Sequence, residues 1–501
     1  KRCGRFKCRA VALGNLYVPE GQLEVYAPVI SQPANRHLLV QAAGAKNFID
    51  IFDIDNAFVQ SNIDKEIYVR LPPVWRESQS DSGLRRLRKA LYGLPQAPRL
   101  WAKFYESKLL SLGWTQGSEL GLYKKPSQAV KNRWLKLGVY VDDNTAAGPD
   151  RKELSAEVEA VLAIFPGKLV KPDKSPQGED WVRHDLLGAD VHYCQPKGEL
   201  LINMERYISK MAVKFRMEDC RYASSPAFQE RMLYDESSPK VDFPFREAVG
   251  CLSWASTCCR IDICHAVNVL SRVSAKPVTK NMVACVKKVL RYVITHPKVG
   301  IVYNKANEAA FRKTYEQLLS DGTRLGTWNL FGDASFGSCY VTMKSVSGST
   351  VYYKGTPIHW KSGRQTVLTG STFEAEFVAS SDTLILSETL TFKGFLEDDP
   401  DPVPKLWCDN QSTVTVAKAE SDTLRPRSRH VALRYHRVKE YADNMQFCPT
   451  HHMKADVCTK LSVPPGVRGH VFWHNPHMKH PTKSTKKDVD EDCDVFLGLC
   501  N

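Results

Sequence analysis

Two apolar segments in the N-terminal half of the chain end in aspartates. Residues Phe48 to Ala57 form a largely apolar run with acids near its end, and Trp134 to Val141 form another that continues directly into Asp142 and Asp143. Short apolar runs of this length are typical of strands. The pattern therefore predicts two strands that carry carboxylates to their ends.

Helices are predicted between and after these strands. Apolar residues recur at helical spacing and stop at Gly113, at the positions Trp101, Phe104, Tyr105, Leu109 and Leu112. A second apolar helix face runs from Met282 to Val293 and is ended by His296-Pro297. Strands alternate with helices, which predicts α/β and α+β domains.

A polar stretch divides the chain. Residues Ala306 to Gly326 carry no strong strand pattern, so we place a domain boundary there. A new α/β pattern follows it. From Ser462 onward the sequence is rich in Pro, Gly, His and Lys and then acidic, which predicts a disordered tail.

Length and charge narrow the class of protein. With 501 residues, 43% of them hydrophobic, the chain is too long for one core and should form about three or four domains. It has 69 Lys and Arg against 55 Asp and Glu, a net charge of +14. This favours a polyanionic partner such as nucleic acid. Solubility alone also makes many proteins basic, so charge does not decide the function.

Several other classes are disfavoured. The 15 cysteines include no Cys-x-x-Cys pair, which argues against a zinc ribbon and favours reduced thiols in the cytosol or nucleus. No run of about 18 apolar residues occurs, and Lys1 to Arg9 lack the apolar core of a secretory signal, so we expect neither a membrane span nor export. A start at Lys1 suggests a piece of a longer polypeptide.

The aspartates at the strand ends are candidate metal ligands. Nucleotide addition uses two hard cations about 3.5 to 4 Å apart, held by carboxylates. Asp53 and Asp142 would be the principal ligands, with Asp143 a second ligand or a positioning charge. An Asp pair alone is a weak signal, because Asp is common in turns. Asp55 shares a strand face with Asp53, so periodicity leaves both open.

Three strings together resemble the reverse transcriptase of copia-type (Pseudoviridae) LTR retrotransposon Pol polyproteins. They are FDIDNAF at 52–58, LYGLPQAPRLW at 91–101 and YVDD at 140–143. The resemblance covers about residues 7 to 461 and implies a right-hand polymerase of fingers, palm and thumb. In the family pattern the metal ligand falls on Asp53 and leaves Asp55 variable.

The same resemblance implies roles for four further residues. Phe58 would be the aromatic gate that excludes a 2′-hydroxyl, although core packing would also explain it. Gln96 would contact the incoming nucleotide and the template. Lys7 and Arg9 would hold the triphosphate, although most surface Lys and Arg are simply solvated.

A second acidic set follows the predicted boundary. Four acids resemble the family's ribonuclease H set in order and context: Asp333, Glu376, Asp409 and Asp456. Cleavage of a phosphodiester also uses two metals held by carboxylates. Glu374 and Glu376 lie two apart on a helix and face different directions, so one of them should reach the metals. Glu376 matches the family position, and Glu374 is the alternative.

These observations give one functional expectation with two rivals. Residues 1–235 would form the fingers, palm and thumb, 236–325 a connection region, 326–461 a ribonuclease H-like domain and 462–501 a disordered tail. The chain would be an RNA-directed DNA polymerase with ribonuclease H activity, with two Mg²⁺ or Mn²⁺ per active site. It would act on RNA template, DNA primer, RNA–DNA hybrid and deoxynucleoside triphosphates, in cytoplasmic virus-like particles or in the nucleus. The rivals are a degenerate or domesticated element that only binds nucleic acid, and a nuclease whose polymerase half is scaffold.

Overall fold

The computed structural model describes residues 10–16, 24–319, 322–390, 403–419 and 432–461. Lys7, Arg9 and the predicted tail at 462–501 lie outside these ranges. The helices are α1 (Gln32–Gly44), α2 (Ala57–Gln60), α3 (Ala97–Ser111), α4 (Arg151–Ile164), α5 (Glu205–Lys214), α6 (Phe245–Cys258), α7 (Cys264–Ser271), α8 (Lys280–Thr295), α9 (Lys305–Glu316), α10 (Thr372–Glu388), α11 (Gln411–Lys418) and α12 (Ala432–Glu440).

The strands of the same ranges form four sheets. They are β1 (Phe48–Ile54), β2 (Tyr68–Arg70), β3 (Leu84–Arg86), β4 (Thr115–Gln116), β5 (Leu122–Pro126), β6 (Trp134–Tyr140), β7 (Asp143–Gly148), β8 (Gly167–Leu169), β9 (Asp173–Lys174), β10 (Val182–Leu186), β11 (Ala189–Cys194), β12 (Glu199–Asn203), β13 (Ile301–Tyr303), β14 (Trp328–Ser335), β15 (Val346–Tyr353), β16 (Thr356–Arg364), β17 (Lys405–Cys408) and β18 (Met445–Phe447). The predicted strands from Phe48 and Trp134, and both predicted helices, are confirmed.

The N-terminal sheet is antiparallel, in the order β4-β5-β6-β7-β1-β8. Strand β1 lies inside it, between β7 and β8. Apolar side chains of helices α3 and α4 form a core with this sheet, in which Trp101 and Tyr105 pack against Phe165. Because β1 and β7 are central, the acids at their ends are held by backbone pairing on both sides.

Helix α1 is buried along almost its whole length, from Pro33 to Ala43. Ser31 begins it, accepting a 3.3 Å hydrogen bond from the Ala34 amide, and Pro33 occupies the first turn. The helix contacts the N-terminal sheet, the second sheet and strand β16 of the C-terminal sheet. It is therefore an internal element shared by all three.

The second sheet crosses the predicted boundary at residue 235. Its order is β13-β12-β11-β10-β9, so strand β13, from the predicted connection region, pairs with β12. Helices α5, α6, α7 and α8 share one apolar cluster with this sheet. The segments on the two sides of residue 235 thus share a single core.

The stretch at 306–326, predicted as a domain boundary without a strand, largely forms helix α9. Phe311 and Tyr315 of this helix pack against Phe331 and Tyr352 of the C-terminal sheet, and Tyr315 also meets Trp407. The sequence pattern did not indicate this helix, because few apolar residues stand among many polar ones. The side chains that Phe311 and Tyr315 contact lie later in the sequence, in the C-terminal sheet.

The C-terminal sheet has the order β16-β15-β14-β17-β18. Strand β15 runs antiparallel to β14 and β16, whereas β17 is parallel to both β14 and β18. Helix α10 packs across β14 and β15. The middle of β14 and the ends of α10 and β17 therefore approach one another. None of the described helices is long and apolar enough to cross a membrane.

Candidate active sites

The first acidic site lies where β1 meets the hairpin of β6 and β7. Asp53 pairs directly with Asp143 in the antiparallel register of β1 and β7. Asp142 lies in the two-residue turn between Tyr140 and Asp143, and its carbonyl accepts a 3.0 Å hydrogen bond from the Ile54 amide. Asp55 lies beyond the end of β1 and is exposed. The structure thus brings the three predicted acids together at one point.

The turn that carries Asp142 has an unusual backbone. Val141 has φ of +60°, a left-handed conformation that a β-branched residue rarely adopts. The indole nitrogen of Trp101 donates a 2.8 Å hydrogen bond to the Val141 carbonyl. The Asn144 side chain donates a 2.9 Å bond to the Asp142 carbonyl and accepts one of 2.9 Å from the Tyr105 hydroxyl. These bonds fix the turn.

Sequence reasoning did not assign Trp101, Tyr105 and Asn144 to the site. Both Trp101 and Tyr105 were predicted as apolar positions of a helix, and Trp101 also ends the string at 91–101, but neither was given a role at the acids. A signal was available, because buried Trp and Tyr usually need a hydrogen-bond acceptor for their polar atoms.

The charges at this site favour cation binding. Burial, followed by repulsion from Asp142, Asp53 and Asp185, raises the pKa of Asp143 to about 6. A bound divalent cation would relieve that repulsion. Lys168, paired in register with Asp53, places its ammonium 3.8 Å from an Asp53 oxygen. Nothing in the local sequence pattern singled out Lys168.

Phe58 and Gln96 lie near the first site in different environments. Phe58 is half-buried, with its ring centroid 4.9 Å from that of Tyr92. Gln96 is 0% exposed, and no hydrogen-bond partner is found for its amide atoms. Contact between Gln96 and a nucleotide would require that side chain to become exposed. Lys7 and Arg9 lie outside the described residues.

The second acidic site is more compact. One carboxylate oxygen from each of Asp333, Glu376 and Asp409 lies within 4.8 Å of the other two, and no other such group is found in the described ranges. Asp333 comes from strand β14, Glu376 from the second turn of α10, and Asp409 directly follows β17. Asp53, Asp142 and Asp143 do not converge this closely.

Each of the three carboxylates is oriented by a neighbouring donor. The Ala334 amide donates a 3.2 Å hydrogen bond to Glu376, and the Thr450 hydroxyl a 3.0 Å bond to Asp409. The Thr459 hydroxyl donates to Asp333. The two threonines were not predicted as site residues, because nothing in the local sequence pattern relates them to the acids.

Glu374 has a different role from Glu376. It lies in the first turn of α10 and accepts a 2.7 Å hydrogen bond from the Gly370 amide, while its own amide donates to Ser371. This arrangement resembles a capping box. Glu374 therefore stabilises the start of the helix and does not join the carboxylate group.

Asp456 lies beside the group of three. It belongs to a buried 3₁₀ turn at Lys454–Cys458, and one of its oxygens accepts a 2.6 Å hydrogen bond from Lys460. Its other carboxylate oxygen is buried without a hydrogen-bond partner. An orphaned carboxylate oxygen facing other acids fits a site for a cation.

The pKa values of Asp333, Glu376 and Asp456 are raised. Burial, followed by repulsion from Asp333 and Asp409, raises the pKa of Glu376 to about 9. Burial and Asp456 raise the pKa of Asp333 to about 7, and burial also raises that of Asp456. The acids outnumber the single charge of Lys460, which pairs with Asp456, and this excess of negative charge fits a cation as a further partner.

Comparisons with known proteins show what this chain is similar to. Residues 1–229 match the family described as "Reverse transcriptase (RNA-dependent DNA polymerase)". The chain is 27% identical over 457 residues to the Pol polyprotein of transposon TNT 1-94 from Nicotiana tabacum, and 28% identical over 469 residues to that of transposon RE2 from Arabidopsis thaliana. The chain is similar to the Pol polyproteins of copia-type LTR retrotransposons, in agreement with the resemblance carried by its sequence strings.

The chain corresponds to part of its longer relatives. The two matches cover 87% and 91% of the chain but 32% and 30% of the relatives, so the chain spans about a third of their length. A transposon Ty5-1 protein of Saccharomyces cerevisiae is 25% identical and matches over 66% of the chain and 99% of its own length.

Among solved structures, a foamy viral protease-reverse transcriptase in complex with double-stranded DNA matches with a TM-score of 0.20 and 13% identity. The match covers 85% of this chain and 61% of that one. That TM-score is too low to establish a common fold.

Proposed function

We propose that the first site carries out RNA-directed DNA synthesis. The observation that supports this most directly is the pairing of Asp53 with Asp143 beside the fixed turn of Asp142. Asp53 and Asp142 would hold two Mg²⁺ or Mn²⁺ ions, with Asp143 beside them. Bound there, the ions would activate the primer hydroxyl and neutralise the triphosphate.

The protein's own groups would set the geometry of this reaction. Trp101 and Asn144 hold the turn, so the backbone at Asp142 does not have to be ordered when substrate arrives. Lys168 offsets part of the negative charge at Asp53. Phe58 would lie under the sugar of the incoming nucleotide.

The second site is proposed to cleave the RNA strand of RNA–DNA hybrid. Asp333, Glu376, Asp409 and Asp456 would hold two Mg²⁺ or Mn²⁺ ions, which would activate water and stabilise the leaving oxygen. Thr450 and Thr459 orient two of these acids. The strand order β16-β15-β14-β17-β18 with α10 across it, and the convergence of three acids, support this assignment.

The partners follow from the two reactions. They are RNA template, DNA primer, RNA–DNA hybrid and deoxynucleoside triphosphates, and a net charge of +14 favours contact with their phosphates. The expected location is a cytoplasmic virus-like particle or the nucleus.

Primer extension tests the first assignment. The purified chain should extend oligo(dT) on poly(rA) in Mg²⁺, and the Asp142→Asn protein should not. Asp55→Asn is the matched control, since this exposed acid lies two residues from Asp53 and should leave extension intact. Normal extension by Asp142→Asn would refute the assignment.

Hybrid cleavage tests the second assignment independently. Asp409→Asn should lose cleavage and keep primer extension, whereas Asp142→Asn should do the reverse. A wild-type chain that neither extends nor cleaves, yet binds hybrid equally in Mg²⁺ and in chelator, would contradict both assignments. It would indicate a protein that binds nucleic acid without catalysis.

A further inference from the structure

Strand β16 forms one edge of the C-terminal sheet, and this edge is bound to the rest of the protein. Every second residue from Thr356 to Ser362 makes a polar contact with a residue that precedes the C-terminal sheet in the chain. Thr356 donates to the Val302 carbonyl at 3.5 Å, and the Trp360 indole donates to the Ser256 carbonyl at 3.1 Å. Ser362 meets the His265 ring at 3.0 Å and also accepts from Asn268 at 3.0 Å.

Arg36 of helix α1 contacts Ile358, the remaining residue of this series. Its Nε donates a 2.7 Å hydrogen bond to the carbonyl of Ile358 in β16. Its Nη1 donates to the carbonyls of Thr257 and Cys258 at 2.6 and 2.9 Å. Arg36 thus joins three parts of the chain: the buried helix α1, the end of α6 and the C-terminal sheet.

A β-bulge makes the Ile358 carbonyl available. Val351 pairs with His359 and Tyr352 pairs with Pro357, so Ile358 has no partner in the ladder. An extra residue of this kind is left unpaired and bends its strand. The bulge therefore supplies an acceptor at the position of the Arg36 guanidinium.

Among the described residues no carboxylate pairs with Arg36, and other groups compensate its charge. The side chain is 4% exposed, and burial lowers its pKa to about 10, which still leaves it protonated at neutral pH. Thr257 and Cys258 are the last residues of α6, where the carbonyls carry the negative end of the helix dipole. The guanidinium also lies 4.2 Å from the ring centroid of Trp360.

Aromatic packing surrounds these polar contacts. The ring of His37, next to Arg36, lies 4.8 Å from that of Trp328 and 4.4 Å from that of Tyr353. Domains move relative to one another by default, unless their interface is large and apolar. This interface is buried and aromatic, and it is tied by directional hydrogen bonds.

We infer that Arg36 and Trp360 are positioning residues that fix the second acidic site relative to the first. The inference rests on the proposed function. If both sites act on one duplex, a fixed joint makes the RNA cut fall at one constant distance behind the primer terminus. A hinged joint would spread the cuts over several neighbouring positions.

The test maps cuts in end-labelled RNA annealed to a DNA primer whose 3′ end is fixed by a chain terminator. The wild-type chain should give one dominant cut distance. Trp360→Phe removes the indole donor at the joint and should spread the cuts over several positions. Arg36→Lys, which keeps the charge but loses the forked donor, should do the same.

Two matched controls lie away from the joint. Trp407→Phe removes an indole bond to Asn329 inside the C-terminal domain, and Arg206→Lys alters an arginine of α5 that pairs with Asp190 of the second sheet. Both should keep the single cut distance. A single distance in both joint variants, or a spread of cuts in the wild-type chain, would overturn the inference.

Hydrogen exchange tests the fixed joint even if the proposed cleavage activity is absent. If the wild-type chain cleaves no hybrid, the ribonuclease H assignment fails, but the joint can still be judged. Exchange in residues 356–364 should then be slow in the wild type and about tenfold faster in the joint variants, as the loss of one hydrogen bond predicts. Equal exchange in wild type and variants would contradict a fixed joint.

Discussion

Trp101 donates a 2.8 Å hydrogen bond to the carbonyl of Val141, a β-branched residue whose φ is +60°. A non-glycine residue in such a conformation costs about 1 to 3 kcal/mol and persists only where its surroundings impose it. Asp142 follows directly, so part of the folding free energy is used to aim a candidate metal ligand. A helix residue thereby controls a turn 40 positions further along the chain.

Replacing Trp101 by Phe should impair synthesis more than stability. The loss of one buried hydrogen bond should cost about 1 kcal/mol of the free energy of unfolding. Primer extension should fall by more than this loss of stability alone would cause, because the turn that carries Asp142 is released. Trp407→Phe should cost similar stability and spare extension. Equal extension by the two variants would contradict a role for Trp101 at the turn.

Stability should depend on pH through Glu376. The unfolded chain ionises this group near its usual pKa of 4.5, whereas the folded chain keeps it protonated up to about pH 9. Folding therefore takes up a proton between these values, and stability falls as pH rises through the window. The melting temperature in EDTA, measured from pH 5 to 9, should decline less in Glu376→Gln.

Mg²⁺ should counteract this decline. A cation bound by ionised Asp333 and Glu376 competes with their protons, so the gain in melting temperature on adding Mg²⁺ should grow as pH rises. Glu376→Gln should reduce this gain, and Asp55→Asn should leave it unchanged. A gain that does not vary with pH would argue against metal binding at these acids.

Substitution of Glu374 should lower stability and spare activity, whereas substitution of Glu376 should do the reverse. Glu374→Ala removes a helix cap and should cost about 1 kcal/mol, with hybrid cleavage retained. Glu376→Gln should abolish cleavage and, at neutral pH, leave the chain at least as stable. Chemical unfolding and a cleavage assay on both proteins measure the two effects. Loss of cleavage in Glu374→Ala, without unfolding, would reverse the assignment.

Asp262 should contribute strongly to the free energy of unfolding. It pairs with Arg260 at 2.7 Å, and the two side chains are 1% and 0% exposed. Removing one partner of such a pair leaves a buried charge and costs about 3 to 5 kcal/mol. Asp262→Ala should therefore lose that much in denaturant unfolding. A loss below about 1 kcal/mol would mean that water reaches Arg260.

Periodicity predicted the elements with one apolar face and missed those without one. Helices α3 and α8 begin and end close to their predicted limits, because their apolar residues recur at regular spacing. Helix α1 is buried on all sides and includes Asn35, Arg36 and His37, so it shows no such face. Its polar residues are explained only by distant partners.

The candidate sites were predictable as sets of residues but not as geometry. Strand ends and family strings led to all seven acids. The residues that support them could not be selected, because Trp101, Lys168 and Thr459 come close to the acids or to the Val141 turn only through tertiary packing. Their separation in sequence from those acids carries no periodic signal.

The covered edge of β16 also bears on self-association. An uncovered edge strand offers unpaired backbone groups to another copy of the same sheet and is a common starting point for aggregation. Here α1 and α7 occupy that edge, with Arg36 bonded at its bulge. A fragment beginning at residue 326 would expose the edge, together with Trp328 and Trp360. The segments that precede residue 326 therefore protect this edge strand from pairing with another copy of the same sheet.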